Sequence, residues 1–215
     1  MSYQEFLAIA LPQMLAGAWI TIKFTVVSAG FGIAIGLLIA LARISRSRIL
    51  RVISTAYVEF FRGTPLLVQI FIIYFGIGKW VNVPEFMAGV LALSINSGAY
   101  TSEIFRAGIQ SISRGQMEAG RSLGLSYGQA MWLIVIPQAF RFCIPPLGNE
   151  LIALLKDSSL VSIIAVTDLM RSGREITGLT IMPFETYTLV ALLYLTLTLP
   201  LTMLVRYAER KLKLA

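Results

Sequence analysis

Apolar residues fall in long unbroken runs along this chain, with no alternation of the kind a half-buried strand would show. Phe24 to Ala42 and Thr186 to Val205 contain no Asp, Glu, Lys or Arg, and Gly63 to Gly78 and Phe86 to Ser102 are slightly shorter runs of the same kind. A helix that crosses a bilayer needs about 20 mostly apolar residues. The first two runs reach that length alone, and the other two reach it with flanking residues. A further charge-free run, Ser122 to Phe140, is broken up by Ser122, Gly124, Ser126, Gly128, Gln129 and Pro137, and proline is disfavoured inside a helix. The span is therefore expected to begin near Gln138 and end near Leu155. It then contains Glu150, which should face protein or water because charge against lipid is costly. The pattern predicts an all-α membrane protein with five transmembrane helices at about 18–42, 53–78, 86–108, 138–155 and 184–207, in one domain over 1–215. Before them, Phe6, Leu7, Ile9, Ala10 and Met14 have loosely helical spacing around Pro12, which predicts a short helix between Ser2 and Leu15 on the outer surface.

Charge orients these spans. Arg43, Arg46, Arg48 and Arg51 follow the first, Arg106, Arg114 and Arg121 the third, and Arg206, Arg210, Lys211 and Lys213 the fifth; the opposite loops hold Lys79, Arg171 and Arg174. Eleven against three predicts an outside N-terminus and a cytoplasmic C-terminus by the positive-inside bias. The same placement accounts for the net charge of +7 without a basic stripe or aromatic platforms for nucleic acid. With 57% apolar and 13% charged residues, the composition lies far from that of soluble domains, at about 45–50% and ~25%. A single cysteine, Cys143, and no histidine exclude an intrachain disulfide and a zinc or haem site built on His and Cys. No basic segment precedes the first apolar run, so no cleaved signal peptide is expected.

The polar segment between the third and fourth spans carries the most specific signal. It reads Glu118-Ala119-Gly120, then Gly124 after three residues, then Ile134-x-Ile136-Pro137. This spacing resembles the EAA loop of the membrane permease subunits of ABC importers. The resemblance makes 114–137 a cytoplasmic coupling loop, with Glu118, Ala119, Gly120, Arg121, Leu123, Gly124 and Pro137 as the ATPase-coupling residues. Small side chains would let a partner approach closely, and Gly124 can take the positive φ that ends a helix. Pro137 is expected to stop the next segment before span four. Leu125 to Gln129 resembles the signature of ABC ATPases, with Tyr127 where a glycine belongs. No phosphate-cradling G-x-x-x-x-G-K-[ST] loop accompanies it, so the chain is not expected to hydrolyse ATP. No catalytic residues are assigned.

Three further segments, Arg62 to Gln69, Asn96 to Glu103 and Leu155 to Leu160, are similar to those of the histidine/glutamine/arginine permeases of polar-amino-acid ABC importers. The similarity runs from about Gly17 to Arg210, and Gly120 departs from the alanine of many members. It implies a type I importer permease fold and residence in the bacterial cytoplasmic (inner) membrane. It also implies a second permease chain (identical or homologous), an external solute-binding protein, and a cytoplasmic ATPase dimer that binds ATP and Mg. This chain itself carries no cofactor or metal in that reading.

Substrate selection should lie with the intramembrane polar residues. Asn96, Tyr100 and Glu103 share one helix face, which is expensive against lipid and suited to a polar passage. With Ser97, and with Asp157 and Ser158 as the opposite wall, they form the substrate-binding set. The competing reading pairs Glu103 with Arg106 at i, i+3, and Glu59 with Arg62, where pairing is the preferred reading. Glu103 and Asp157 suit a basic amino acid; a neutral one such as glutamine is the alternative. Met170 to Thr180, outside, is a candidate docking surface. A secondary transporter driven by an ion gradient would usually show internal repeats, and none is visible.

Overall fold

The computed structural model describes residues 2–77, 79–80 and 82–212. Gly78, the end of the second expected span, and Lys213, counted among the basic residues, lie outside them. The first helix, α1, runs from Tyr3 to Ile44. Its start is fixed by a reciprocal cap: Glu5 N–H donates to Ser2 Oγ, and Ser2 N–H donates to the Glu5 carboxylate at 2.8 Å, satisfying two donors that a helix start leaves open. The separate surface helix expected before Leu15 is therefore the first third of α1. Packing explains the continuity, because Phe6, Ala10 and Met14 are buried in one cluster with Leu169, Ile176 and Val190. At 1.5 Å per residue α1 is about 63 Å long, twice the ~30 Å hydrocarbon core of a bilayer.

The second expected span is not one helix. Helix α2 (Arg48–Gly63) stops, and α3 (Leu66–Phe71) leaves at a bend of 107° before passing into a π-helical turn, Ile72–Ile77. Thr64 precedes Pro65 and is extended (φ −118, ψ 147), as the proline ring requires of its predecessor. Helix α4 (Glu85–Gln110) lies at the centre of the fold, with its main partner α1. Small side chains let the two backbones approach: a Cβ on Gly36 would collide with the Thr101 side chain, and Thr101 Oγ1 donates to the Gly32 carbonyl at 2.9 Å. Such contacts are the usual means of holding helices together where lipid removes the hydrophobic drive.

Helix α5 (Arg114–Ser122) ends at Gly124, whose φ is +87. Leu125 N–H returns to the Gly120 carbonyl and Gly124 N–H to that of Arg121, the pair of bonds that closes a helix through a left-handed residue. The chain then enters α6 (Tyr127–Ala130), a π-helical turn over Met131–Val135, and α7 (Ile136–Asp157), extended by a 3-10 turn, Ser158–Ile164. Pro137 thus does not separate the loop from the helix expected to hold span four, and that helix begins before Gln138. One helical rod runs from Tyr127 to Ile164. The wide π turn before Pro137 relieves the clash its ring would make with the preceding turn.

Helix α8 (Leu169–Thr180) and the final helix α9 (Pro183–Leu212) complete the fold. Among the described residues three helices are long and apolar enough to cross a membrane, α1, the Tyr127–Ile164 rod and α9, and the bent α2–α3 pair adds a fourth if it counts as one span. Helix α4 is long enough, but its polar side chains, among them Ser94, Asn96, Ser97, Thr101 and Ser102, are buried inside the fold. Helix α9 is the reverse: Leu192, Leu195, Leu199 and Met203 are exposed, as suits a lipid-facing surface.

Candidate functional site in the helix bundle

Around the middle of α4 the polar residues separate onto two faces. Asn96 and Tyr100 turn toward α2 and α3, and Glu103 meets cations of α1 and of its own helix. Asn96 Nδ2 donates to the Phe61 carbonyl at 3.2 Å and to Gln69 Oε1 at 2.9 Å, so both of its donor hydrogens are spent inside the fold. Tyr100 lies beneath the Arg62 guanidinium, 5.3 Å from ring centroid to charge. Among the described residues Glu59 forms no ion pair with Arg62, so the pairing preferred from the sequence is replaced by this stack. Glu103 is held by two cations. One carboxylate oxygen meets Arg43 of α1, and the other accepts from Arg106 Nη2 at 2.6 Å, while Arg106 also reaches Gln110 at 2.7 Å. The i, i+3 pairing is therefore the one the structure adopts, and each carboxylate oxygen of Glu103 is engaged by a guanidinium.

Ser97 and Thr101 face the other way, toward α1 and α7. Ser97 Oγ donates to Glu150 Oε1 at 2.9 Å. Both residues, with Val26, Ile33, Gly148 and Leu154, line a cavity of about 380 Å³ between α1, α4 and α7, within the ~300–1,000 Å³ range of small-molecule sites. Among the described residues no cation pairs with Glu150. Asp157 lies seven residues further along α7, about 10 Å along the axis, and is exposed. Ser158 is buried and bonds the Leu155 carbonyl. The carboxylate at the cavity is thus Glu150. The sequence had only required that Glu150 face protein or water; its partner Ser97 is 53 positions away, beyond any local pattern.

A second cluster occupies 114–137. Glu118, Ala119, Arg121 and Gly124 are exposed, and Leu123 is 83% exposed. Gly120, expected to admit a partner, is buried against this chain instead: an added Cβ would lie 2.7 Å from Ile134 Cδ1 and 3.2 Å from Ala130 Cβ. Its small size serves the packing of α5 on the π turn. Gln138 reinforces that packing by donating to Gln116 Oε1 at 3.3 Å. Pro137 is exposed on the same rod. The residues that resembled an ATPase signature form a helix start, with Ser126 and Gln129 capping one another. Arg46, between α1 and α2, stacks over Tyr127 at 5.6 Å.

Beside α8, Asp168 is fully buried and caps the helix by accepting from Arg171 N–H at 2.9 Å. Burial raises its carboxyl from 3.8 to about 6, although backbone N–H groups around it oppose the shift.

A bundle of long apolar helices around a polar centre, with a capped helical loop projecting from it, is the architecture of a membrane transport subunit. The chain belongs to the family of inner membrane components of binding-protein-dependent transport systems, which matches residues 32–214. It is 42% identical over 198 residues to the probable glutamine ABC transporter permease protein GlnM of Bacillus subtilis (strain 168), covering 92% of each chain. Identity is 42% over 205 residues to the arginine transport system permease protein ArtQ of the same organism, covering 94% of each. It is 38% over 208 residues to the glutamine transport system permease protein GlnP of Escherichia coli (strain K12), covering 95% of each. A chain from the crystal structure of an amino acid ABC transporter with histidines matches with a TM-score of 0.93 and 40% identity, over 98% of this chain and 99% of that one. An inward-facing MetNI methionine ABC transporter has the same fold at a TM-score of 0.80 and 20% identity, each chain being 99% covered. The chain is a permease subunit of a type I ABC importer in the inner membrane, and ATP hydrolysis belongs to a separate ATPase.

Proposed function

We propose that this permease forms the route by which an amino acid crosses the membrane, with Ser97 and Glu150 at the cavity between α1, α4 and α7 as its polar contacts. The observation that carries this reading is a carboxylate with a hydroxyl donor and, among the described residues, no cationic partner, facing a cavity of suitable volume. An intramembrane ionisable group in that position is functional by default. A carboxylate there suits the α-ammonium group of any amino acid and, more strongly, a basic side chain. A basic amino acid is therefore the first substrate class, and a neutral one such as glutamine the second. Relatives named for arginine and for glutamine support both.

In this reading five spans cross the membrane, α2 and α3 together making the second and α4 the third. The N-terminus is outside and the C-terminus cytoplasmic, in keeping with the positive-inside bias. Two permease chains enclose the route, an external binding protein delivers the substrate, and a pair of ATPases drives it. The exposed residues of 114–137 receive the ATPases. Leu179, Ile181 and Phe184, 69%, 86% and 80% exposed at the turn from α8 to α9, extend the docking surface expected at Met170 to Thr180. Transport is a shift of population between inward- and outward-facing states, driven by nucleotide at the partner.

Uptake of labelled arginine and glutamine into vesicles holding the whole complex, with its binding protein and ATP, tests the assignment. Uptake that follows an ion gradient without ATP would sink it. Gly124→Val tests the coupling loop, because a β-branched residue is strained at φ +87 by about 1–2 kcal/mol. The variant should insert and assemble but lose substrate-stimulated ATP hydrolysis; normal coupling would remove 114–137 from that role.

A further inference from the structure

Where α2 gives way to α3, carbonyls that a continuous helix would satisfy are left open in the interior of the bundle. Gln69 answers them. Its Nε2 reaches the Phe61 carbonyl at 2.9 Å, the Thr64 carbonyl at 3.0 Å and Thr64 Oγ1 at 2.9 Å, while Oε1 accepts from Asn96 Nδ2 at 2.9 Å. Asn96 adds a second donor to the Phe61 carbonyl at 3.2 Å. Gln69 is 3% and Asn96 8% exposed, so both amides are largely withdrawn from solvent. Non-helical backbone at membrane depth persists only where the protein re-satisfies its polar groups, and these two amides do so across two helices. The next residue on α4, Ser97, points to the opposite side and holds Glu150. One peptide unit of α4 thus joins the bend to the carboxylate.

We propose that Gln69 and Asn96 are positioning residues: they clamp the bend between α2 and α3 and, through Ser97, set where Glu150 presents its carboxylate to the cavity. This rests on the reading of that cavity as the substrate route. A bend so clamped has a defined angle, and any change in it shifts α4 at the level of Ser97. Loosening the clamp should therefore act on substrate handling even though neither amide faces the cavity.

The test uses the whole complex in lipid nanodiscs and vesicles, with Asn96→Ala, Gln69→Met, Ser97→Ala, Glu150→Gln and the double variant Asn96→Ala/Glu150→Gln. Amide hydrogen exchange over 60–72 should speed up about tenfold in Asn96→Ala and Gln69→Met, as expected when buried hydrogen bonds are lost. It should not change in Ser97→Ala. Uptake should fall about fivefold or more in Asn96→Ala and in Ser97→Ala alike, on the scale of one lost hydrogen bond. The double variant should transport no worse than Glu150→Gln, because both changes act on one group. Unchanged exchange in both clamp variants overturns the clamp. Losses that multiply in the double variant, or normal uptake by Ser97→Ala, overturn the link to Glu150; Ser97→Ala decides that link even if a clamp variant fails to assemble. Normal uptake by Glu150→Gln with faster exchange in the clamp variants overturns the substrate route and leaves the clamp standing.

Discussion

Two carboxylates in the bundle show how position along a chain fails to predict the partners a side chain meets. Glu103 and Glu150 both sit on helices among apolar neighbours, and by sequence Glu103 is the better candidate because it shares a face with Asn96 and Tyr100. In the structure Glu103 is bound by Arg43 and Arg106, whereas Glu150 has a serine hydroxyl beside a cavity. A carboxylate neutralised by two guanidinium groups holds helices together. One supported by a single neutral donor is left open to a ligand's cation. What separates them is the partner each meets, and the partners come from other helices.

The largest effect that could break this contrast is expected at Glu150. Glu150→Gln keeps the shape and removes the charge, so uptake of a basic amino acid should fall about 10–100-fold, the worth of one hydrogen bond to a charged group. The complex should assemble normally. The measurement is initial uptake in vesicles with the binding protein saturated, and wild-type uptake would move the route elsewhere. Glu103→Gln should do the opposite. It leaves Arg43 and Arg106 facing one another without compensation, destabilising the complex by about 1–3 kcal/mol with little change in substrate KM. Thermal unfolding in detergent reads the first quantity and uptake the second; a raised KM with unchanged stability would reverse the two roles.

Asp168 sharpens the contrast from a third position, where the carboxylate serves a helix end. Its folded pKa of about 6 lies above the ordinary 3.8 because of burial. The protonated form is therefore favoured in the fold: the associated stability is present below about pH 4 and is lost as pH rises through about 6. Exchange of the α8 amides should slow as pH falls from 7 to 5, after correction for intrinsic rates, by a stability change of about 1 kcal/mol. Asp168→Asn, which still caps, should show no such dependence. Equal pH dependence in both proteins would assign the effect to another group.

The long apolar helices α1 and α9 were legible because a bilayer demands length and apolarity, and both are local properties. Gly124 was legible for a similar reason: a helix end followed by a left-handed residue has a local signature. The bend after Gly63 also had its signal, Gly-Thr-Pro, but hydropathy is indifferent to it and ran the span straight through. Arg106 could be read as a partner of Glu103 because it lies one turn away. Arg43, Gln69 and Ser97 could not be read as partners of Glu103, Asn96 and Glu150, since each pair is made by helix packing. Pro137 misled for a physical reason too. A proline ends a regular helix, but not one whose preceding turn has already widened.

That widened turn over Met131–Val135 carries a consequence for how the two ends of the rod are phased. A π turn holds one residue more than the α turn it replaces, and each residue of an α-helix advances the azimuth by about 100°. Deleting a single residue from this stretch would let ordinary winding resume. It would leave α7 seated in the bundle and swing α5 and α6 about a quarter-turn around the rod. The surface that includes Leu123 would then face away from its present direction, with no side chain on it altered. The protein thus keeps the heading of its exposed loop in a surplus of one residue, stored in the backbone between the bundle and the loop.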